Sequence, residues 1–140
     1  MDDKTLRTMD LSRVEAGHYK AVNVRGRELT IGSGDDAEFT PVELLLAALA
    51  GCTAIDVDLI TGKRASPESF DIRVEAHKVR DDGGNHLVDF GVRVSITFPE
   101  GEGGDQAREV LPRAVRQSGD RLCTVGRTIQ LGASIGYTID

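Results

Sequence analysis

Two cysteines are the residues of this chain whose side chains could carry nucleophilic or redox chemistry. Cys52 lies in an apolar segment and Cys123 follows 71 residues later. This spacing is neither a CxxC pair nor a zinc-ligand pattern, so spacing alone assigns the pair no function. A free cysteine is also a small apolar residue that is commonly buried. The alternatives at this point are a reactive thiol pair and two inert packing residues.

Metal, cofactor and nucleic-acid functions have little support in the composition. The three histidines, His18, His77 and His86, are not spaced as metal-ligand pairs, so we expect no metal site and no cofactor. The net charge of −6 also argues against a nucleic-acid partner, because phosphate contacts require a basic surface.

Length and composition are those of one ordinary globular domain. The 140 residues are 39% hydrophobic and 29% charged, and we expect a single domain over residues 1–140. The chain opens on acidic and polar residues rather than on an apolar leader, which predicts a cytoplasmic protein. The apolar run Leu44–Ile55 is shorter than a bilayer requires, so no membrane association is expected.

The element that contains Cys52 has the clearest start signal in the sequence. Thr40 and Glu43 flank Pro41 and Val42 in the pattern of a capping box, in which Thr and Glu side chains satisfy free backbone N–H groups. A helix is predicted from there through Leu44–Ile60, with a stop at Gly62. Because it is apolar on almost every side, we expect protein to enclose it, including a second subunit.

Alternation and turn residues predict the remaining elements as βββ-α-ββ-α-α-β, an α+β architecture with an antiparallel sheet. The predicted segments are a meander over Leu6–Val14, Tyr19–Val24 and Glu28–Ile31, a hairpin over Phe70–Val79 and Leu87–Phe98, helices over Gln106–Ser118 and Leu122–Leu131, and a closing strand over Ser134–Ile139.

Two segments together resemble a known family. The stretch Phe39–Cys52, with Pro41 at its helix start, and the second cysteine in Leu122–Thr128 are similar to the OsmC/Ohr family and its OsmC-like subgroup. The resemblance covers nearly the whole chain. It implies an OsmC-like fold with a long buried central helix, an intertwined homodimer, and active sites at the subunit interface.

The resemblance also implies an activity, the thiol-dependent reduction of organic hydroperoxides. Cys52 would attack the peroxide as a thiolate, and Cys123 would resolve the sulfenic acid into an intramolecular disulfide. An external dithiol would then reduce the disulfide. An apolar environment favours small organic peroxides over hydrogen peroxide, but it also raises a thiol pKa, so a nearby cation is expected.

The sequence departs from the family's peroxidases at the supporting residues. Those proteins place Glu directly after the helix-starting Pro, whereas here Val42 follows Pro41 and Glu43 comes one residue later. One residue is about 100° around a helix, so Glu43 is either catalytic or only part of the capping box. The family's Arg in the first β-turn is missing, and His18 or Lys20 could supply the positive charge there, with a plain surface role as the alternative.

Two charged residues lie one helical turn from the cysteines. Arg127, four residues after Cys123, could stabilise that sulfur. Asp56, four residues after Cys52, would raise a thiol pKa, or instead cap a backbone group or pair with an Arg. These departures keep two further hypotheses open: an OsmC-like dimer that binds a small apolar ligand at its interface with little peroxidase activity, and a redox sensor.

Overall fold

The computed structural model describes residues 3–140, and these form two compact units that divide within a helix, between Leu45 and Leu46. After a single 3₁₀ turn at Asp3–Thr5, the elements are β1 (Asp10–Glu15), β2 (His18–Val22), β3 (Glu28–Gly32), α1 (Pro41–Thr61), β4 (Ser69–Asp81), β5 (Gly84–Thr97), α2 (Glu102–Gln117), a π-helical turn (Ser118–Leu122) and α3 (Thr124–Leu131). The mixed α+β class is therefore confirmed.

The N-terminal unit contains the predicted meander. Strands β1, β2 and β3 form an antiparallel sheet in that order. Gly17 makes the tight turn between β1 and β2 with a φ of 78°, a left-handed conformation that glycine adopts without steric cost. β1 begins at Asp10 rather than at the predicted Leu6, and all six of its residues are exposed.

The capping box at the start of α1 is confirmed. The Thr40 backbone N–H donates to Glu43 Oε1 at 2.9 Å, and the Glu43 N–H donates to Thr40 Oγ1 at 3.2 Å. These reciprocal bonds satisfy backbone donors that the first helical turn leaves free. At the other end, the Gly62 N–H donates to the Asp58 carbonyl at 2.8 Å.

α1 has the predicted bounds, from Pro41 to the residue before Gly62, but it is more exposed than expected. Its buried residues recur every fourth position, at Leu49, Thr53, Val57 and Thr61, so one face packs inward. Ile55 and Leu59 are 63% and 66% exposed. With 21 residues and a mean hydropathy of 1.8, the helix meets the length and composition of a membrane span, which the shorter run Leu44–Ile55 did not suggest. A core helix of a soluble protein has the same properties.

In the C-terminal unit, β4 and β5 form the predicted hairpin. Their antiparallel register runs from Ser69 opposite Thr97 to Asp81 opposite Gly84, with an irregularity between Glu75 and His77. The core of this unit includes side chains of α1 and α2 and the residue Phe98, and its members from α2 are Ala107, Val110 and Ala114.

The predicted closing strand at Ser134–Ile139 is wrong. α3 ends at Leu131 and is followed by Gly132, whose φ of 68° is left-handed. Residues 133–140 form no strand. Ile135, Tyr137 and Ile139 are 74%, 88% and 96% exposed. Alternation of apolar and polar residues indicates which face a strand would bury. A strand forms only when its backbone pairs with a neighbouring strand, and the described residues supply no such pairing here.

Candidate active site

The fold of the C-terminal unit brings the two cysteines together with one carboxylate. The Sγ atoms of Cys52 and Cys123 and a carboxylate oxygen of Asp56 all lie within 4.8 Å of one another. Cys52 and Asp56 lie one turn apart on α1 and are partly exposed, whereas Cys123 is only 1% exposed. Both cysteines are free thiols.

Backbone contacts hold Cys123 from both sides. α2 passes into the π-helical turn, and the Cys123 N–H donates to the Ser118 carbonyl at 2.9 Å. Cys123 is also the N-cap residue of α3, and its Sγ accepts a hydrogen bond from the Gly126 N–H at 3.2 Å. Sulfur here takes the acceptor role that a Ser or Asp oxygen plays at other helix starts.

Gly126 leaves space for this sulfur. A Cβ at Gly126 would lie 3.3 Å from Cys123 Sγ and 3.4 Å from Leu49 Cδ1. The absence of a side chain therefore allows α3 to approach both the thiol and α1 closely.

Asp56 is oriented by a buried hydroxyl. Ser118 is fully buried, and its Oγ donates to Asp56 Oδ2 at 2.8 Å. The carboxylate is thus tied to the turn that precedes Cys123, and Ser118 is the partner that sequence reasoning missed. Neither a backbone cap nor an Arg pair, the two alternatives considered for Asp56, describes this contact.

The pKa of the Cys123 thiol is raised above its ordinary value. Burial is the largest cause, followed by a hydrogen-bonding interaction with Cys52. Electrostatic interactions with Cys52 and Asp56 act in the same direction, and only the hydrogen bond from the Gly126 N–H opposes them. Cys123 therefore keeps its proton at neutral pH and can donate it towards Cys52.

An apolar cavity of about 310 Å³ lies beside Cys123. A cavity of this volume holds a small organic molecule. Its walls come entirely from the C-terminal unit, and Cys123 rather than Cys52 lines it. The lining residues are Leu49, Thr53, Phe90, Val92, Val115, Gly119, Cys123, Gly126, Ile129 and Gln130.

Glu43 and His18 have partners within the N-terminal unit. Glu43 accepts from the Thr40 N–H and the Thr40 hydroxyl, which lowers the pKa of its carboxyl group, the backbone bond being the larger cause. His18 bonds Asp36 and lies 3.2 Å from a Glu15 oxygen. The Asp36 hydrogen bond is the main reason that the pKa of His18 is raised.

Arg127 contacts Cys123 through its backbone. Its N–H donates to the Cys123 carbonyl at 2.9 Å, the first helical hydrogen bond of α3, and the residue is partly exposed. The catalytic support expected from Glu43, His18 and Arg127 stays a prediction.

Mycobacterial proteins described as uncharacterised are similar to this chain in sequence. Uncharacterised proteins of Mycobacterium tuberculosis and Mycobacterium bovis are 27% identical to this chain over 131 residues, which is 92% of the chain and 93% of each relative.

Solved structures share the fold at lower identity. An OsmC-like protein of unknown function from Vibrio cholerae is 14% identical, with a TM-score of 0.74 over 89% of this chain and 93% of its own. An OsmC-like protein from Mycoplasma pneumoniae is 17% identical, with a TM-score of 0.69 over 90% and 88% of the two chains. An organic hydroperoxide resistance protein of Bacillus subtilis is 15% identical, with a TM-score of 0.53 over 86% and 90%.

These likenesses confirm the OsmC-like fold, and the family itself follows from the sequence match. The family model described as OsmC-like protein matches residues 33–138, a range that includes both cysteines and Asp56. The chain therefore belongs to the OsmC-like family.

Proposed function

We propose that this protein reduces organic hydroperoxides with Cys52 as the peroxidatic thiolate and Cys123 as the resolving thiol. The observation that carries the proposal is the approach of two free sulfurs to within 4.8 Å of each other from positions 71 residues apart. A disulfide requires a sulfur–sulfur distance of about 2 Å, so side-chain rotation and a small backbone adjustment would close the gap.

The reaction proceeds in three balanced steps. The Cys52 thiolate attacks the distal peroxide oxygen, the O–O bond breaks, and the alkoxide takes a proton to leave as an alcohol. Cys52 is then a sulfenic acid, and the Cys123 sulfur displaces its hydroxyl as water while the S–S bond forms. An external dithiol reduces this disulfide by exchange and is itself oxidised to a disulfide.

Exposure and protonation support this order of roles. Cys52 is partly exposed and can meet a peroxide, whereas Cys123 is 1% exposed. The raised pKa of Cys123 keeps it a thiol, a weak nucleophile that can donate its hydrogen towards Cys52. Its proton supplies the water that leaves when the disulfide forms.

The apolar cavity supports an organic rather than an inorganic peroxide. Transfer of an alkyl chain from water to apolar walls such as Phe90, Val92 and Ile129 is favourable. The Bacillus subtilis relative carries the name of an organic hydroperoxide resistance protein, which agrees with this substrate class.

The same cavity supports a second candidate function, the binding of a small apolar ligand with little peroxide turnover. The cavity is lined by Cys123 and not by Cys52, so a ligand can occupy it without contacting the attacking thiol. In addition, the group beside the thiols is the Asp56 carboxylate, which disfavours a thiolate.

We propose that the protein is a cytoplasmic homodimer. Each chain would form a single domain over residues 1–140. The exposed apolar side chains Ile55 and Leu59 of α1 support a homodimer. Burial of apolar surface against a second subunit lowers the free energy of the assembly. Family membership supports the same assembly.

The test is a peroxide-consumption assay coupled to a dithiol, with tert-butyl hydroperoxide as substrate. Cys52→Ser is expected to abolish turnover and sulfenic acid formation. Cys123→Ser is expected to form the sulfenic acid but no intramolecular disulfide. Asp58→Asn, an exposed position on the same helix, is the matched control and should behave as the unmodified protein.

Two results decide between the candidates. Unchanged turnover in Cys52→Ser would refute the peroxidase. A protein that consumes no hydroperoxide, yet loses a bound apolar fluorophore to competing alkyl compounds, would support the ligand-binding function instead.

A further inference from the structure

Cys52, Asp56 and Cys123 present three metal-binding atoms to one point. Their two sulfurs and one carboxylate oxygen lie within 4.8 Å of one another. Around a tetrahedral zinc ion such atoms stand about 3.5–3.8 Å apart, as follows from Zn–S bonds of about 2.3 Å and Zn–O bonds of about 2.0–2.2 Å. Rotation of partly exposed side chains on α1 brings the cluster to that size.

We propose that the reduced protein binds one thiophilic divalent cation, with Zn²⁺ or Cd²⁺ as the matching ions, through Cys52 Sγ, Cys123 Sγ and an Asp56 oxygen. Two thiolates and one carboxylate form a soft, anionic donor set that selects such ions over Mg²⁺ or Ca²⁺. Three protein ligands leave the fourth tetrahedral position for water or a small ligand.

The surroundings of the cluster support a metal site in two ways. Cys52 and Asp56 lie one turn apart on a rigid helix, the spacing by which helices present two ligands to one metal. Ser118 is fully buried and its Oγ donates to Asp56 Oδ2 at 2.8 Å, so an outer hydrogen bond orients this ligand.

Binding and oxidation compete for the same atoms. Metal binding to two thiols releases two protons and forms two metal–thiolate bonds, whereas disulfide formation removes both thiolates. The metal therefore leaves when the pair is oxidised. This competition rests on the proposed function, but metal binding by the reduced protein does not.

The first experiment uses the full-length protein after reduction, removal of the reductant and removal of metals by a chelator. Cd²⁺ is titrated while the ultraviolet thiolate-to-metal charge-transfer band is recorded, and calorimetry with Zn²⁺ gives the stoichiometry. One ion per chain is expected, and Mg²⁺ should produce no signal. Absence of the band, with two reactive thiols per chain counted in the unfolded protein, would overturn the proposal.

Variants then assign the ligands. Cys52→Ser and Cys123→Ser should each weaken binding strongly, and Ser118→Ala should weaken it about 10–100-fold as an outer hydrogen-bond partner. Asp56→Asn should weaken it at least as much as Ser118→Ala, with Asp58→Asn as the matched control on the same helix. Equal affinities for Asp56→Asn and Asp58→Asn would contradict the three-ligand site.

A measurement without variants covers the case in which a substitution prevents folding. Stoichiometric Zn²⁺ should protect the partly exposed Cys52 of the unmodified protein from alkylation, as mapped by mass spectrometry, and a chelator should restore the reaction. Alkylation of Cys52 at an unchanged rate would contradict the proposal. Peroxide consumption by the metal-free protein is measured separately, so failure of the peroxidase leaves the metal test unaffected.

Discussion

Cys123 combines burial, a helix-capping hydrogen bond and two chemically relevant neighbours. It is buried, it caps α3 with its sulfur, and it lies beside both Cys52 and the Asp56 carboxylate. The Gly126 hydrogen bond favours the thiolate, but burial and the interactions with Cys52 and Asp56 outweigh it. The protonated Cys123 thiol therefore lies next to the more accessible Cys52 thiol.

This balance predicts the effect of removing one charge. Asp56→Asn retains an oxygen that accepts from Ser118 but loses the negative charge that disfavours the Cys123 thiolate. In a Cys52→Ser background, we expect the pKa of Cys123 to fall when Asp56→Asn is added. The measurement is the ultraviolet absorbance of the thiolate against pH, with Asp58→Asn as control. A higher or unchanged pKa would contradict the assigned electrostatics.

His18 and Asp36 predict a pH-dependent stability of the N-terminal unit. The hydrogen bond that His18 donates to Asp36 raises the pKa of His18, so the contribution of this pair to folding stability is complete below the ordinary histidine pKa of about 6.5. It is lost as the pH rises through the raised value. The pKa of Asp36 is lowered, first by the Glu38 N–H and then by His18, so its contribution is lost only as the pH falls below about 3.9.

We therefore expect His18→Gln to reduce the melting temperature most between about pH 4 and pH 6.5, and less at alkaline pH. Thermal unfolding across this range tests it, with His77→Gln in β4 as a histidine control. A difference that grows as the pH rises above 7 would have the wrong sign for this ion pair.

At the scale of elements, α3 and α1 meet where Gly126 leaves space for Cys123. Gly126→Ala places a Cβ 3.3 Å from the sulfur and 3.4 Å from Leu49, so we expect a loss of about 1–3 kcal/mol in the free energy of unfolding and slower disulfide formation. Gly51→Ala in α1, where a Cβ meets nothing within 4 Å, is the control and should stabilise the helix by up to about 1 kcal/mol.

Denaturant unfolding and the rate of disulfide formation after hydroperoxide addition measure these effects. If Gly126→Ala were as stable and as reactive as Gly51→Ala, the close approach of α3 to the thiol would contribute neither to stability nor to disulfide formation.

Elements with local signals were predictable from the sequence. The capping box fixed the start of α1, and alternation with glycine turns gave the meander and the hairpin, because these patterns depend on neighbours in the chain. The closing strand was not predictable, since Ser134–Ile139 has the alternation but no paired neighbour among the described residues. Residue types suggested the cysteine pair only through a family resemblance.

The Asp56–Ser118 bond had no signal in the sequence, and the residue pattern around Cys52, Asp56 and Cys123 did not predict that they could bind a metal. Ser118 lies 62 residues from Asp56, at the start of the π-helical turn that follows α2, and no local pattern links the two positions. Ligand spacing along the chain predicted no metal site, but spacing reports only ligands that share an element, and here two elements supply the three atoms.

At the scale of the whole molecule, the exposed apolar residues of α1 predict an assembly. Leu59 is 66% exposed on a helix whose opposite face is buried, so we expect a homodimer with twice the 15.1 kDa chain mass. Leu59→Glu should weaken the dimer, whereas Asp58→Asn should not. Analytical ultracentrifugation measures both, and a monomer at every concentration in the unmodified protein would contradict the expectation.

The proposed peroxidase reaction requires that Cys52 and Cys123 form one redox pair. The direct test is mass spectrometry of the native, reduced, metal-free protein after one equivalent of an organic hydroperoxide, followed by peptide mapping under non-reducing conditions. We expect the loss of two hydrogens per chain and a Cys52–Cys123 cross-link within a single chain. Retention of two free thiols, or oxidation of Cys52 to a sulfinic acid without any cross-link, would contradict it.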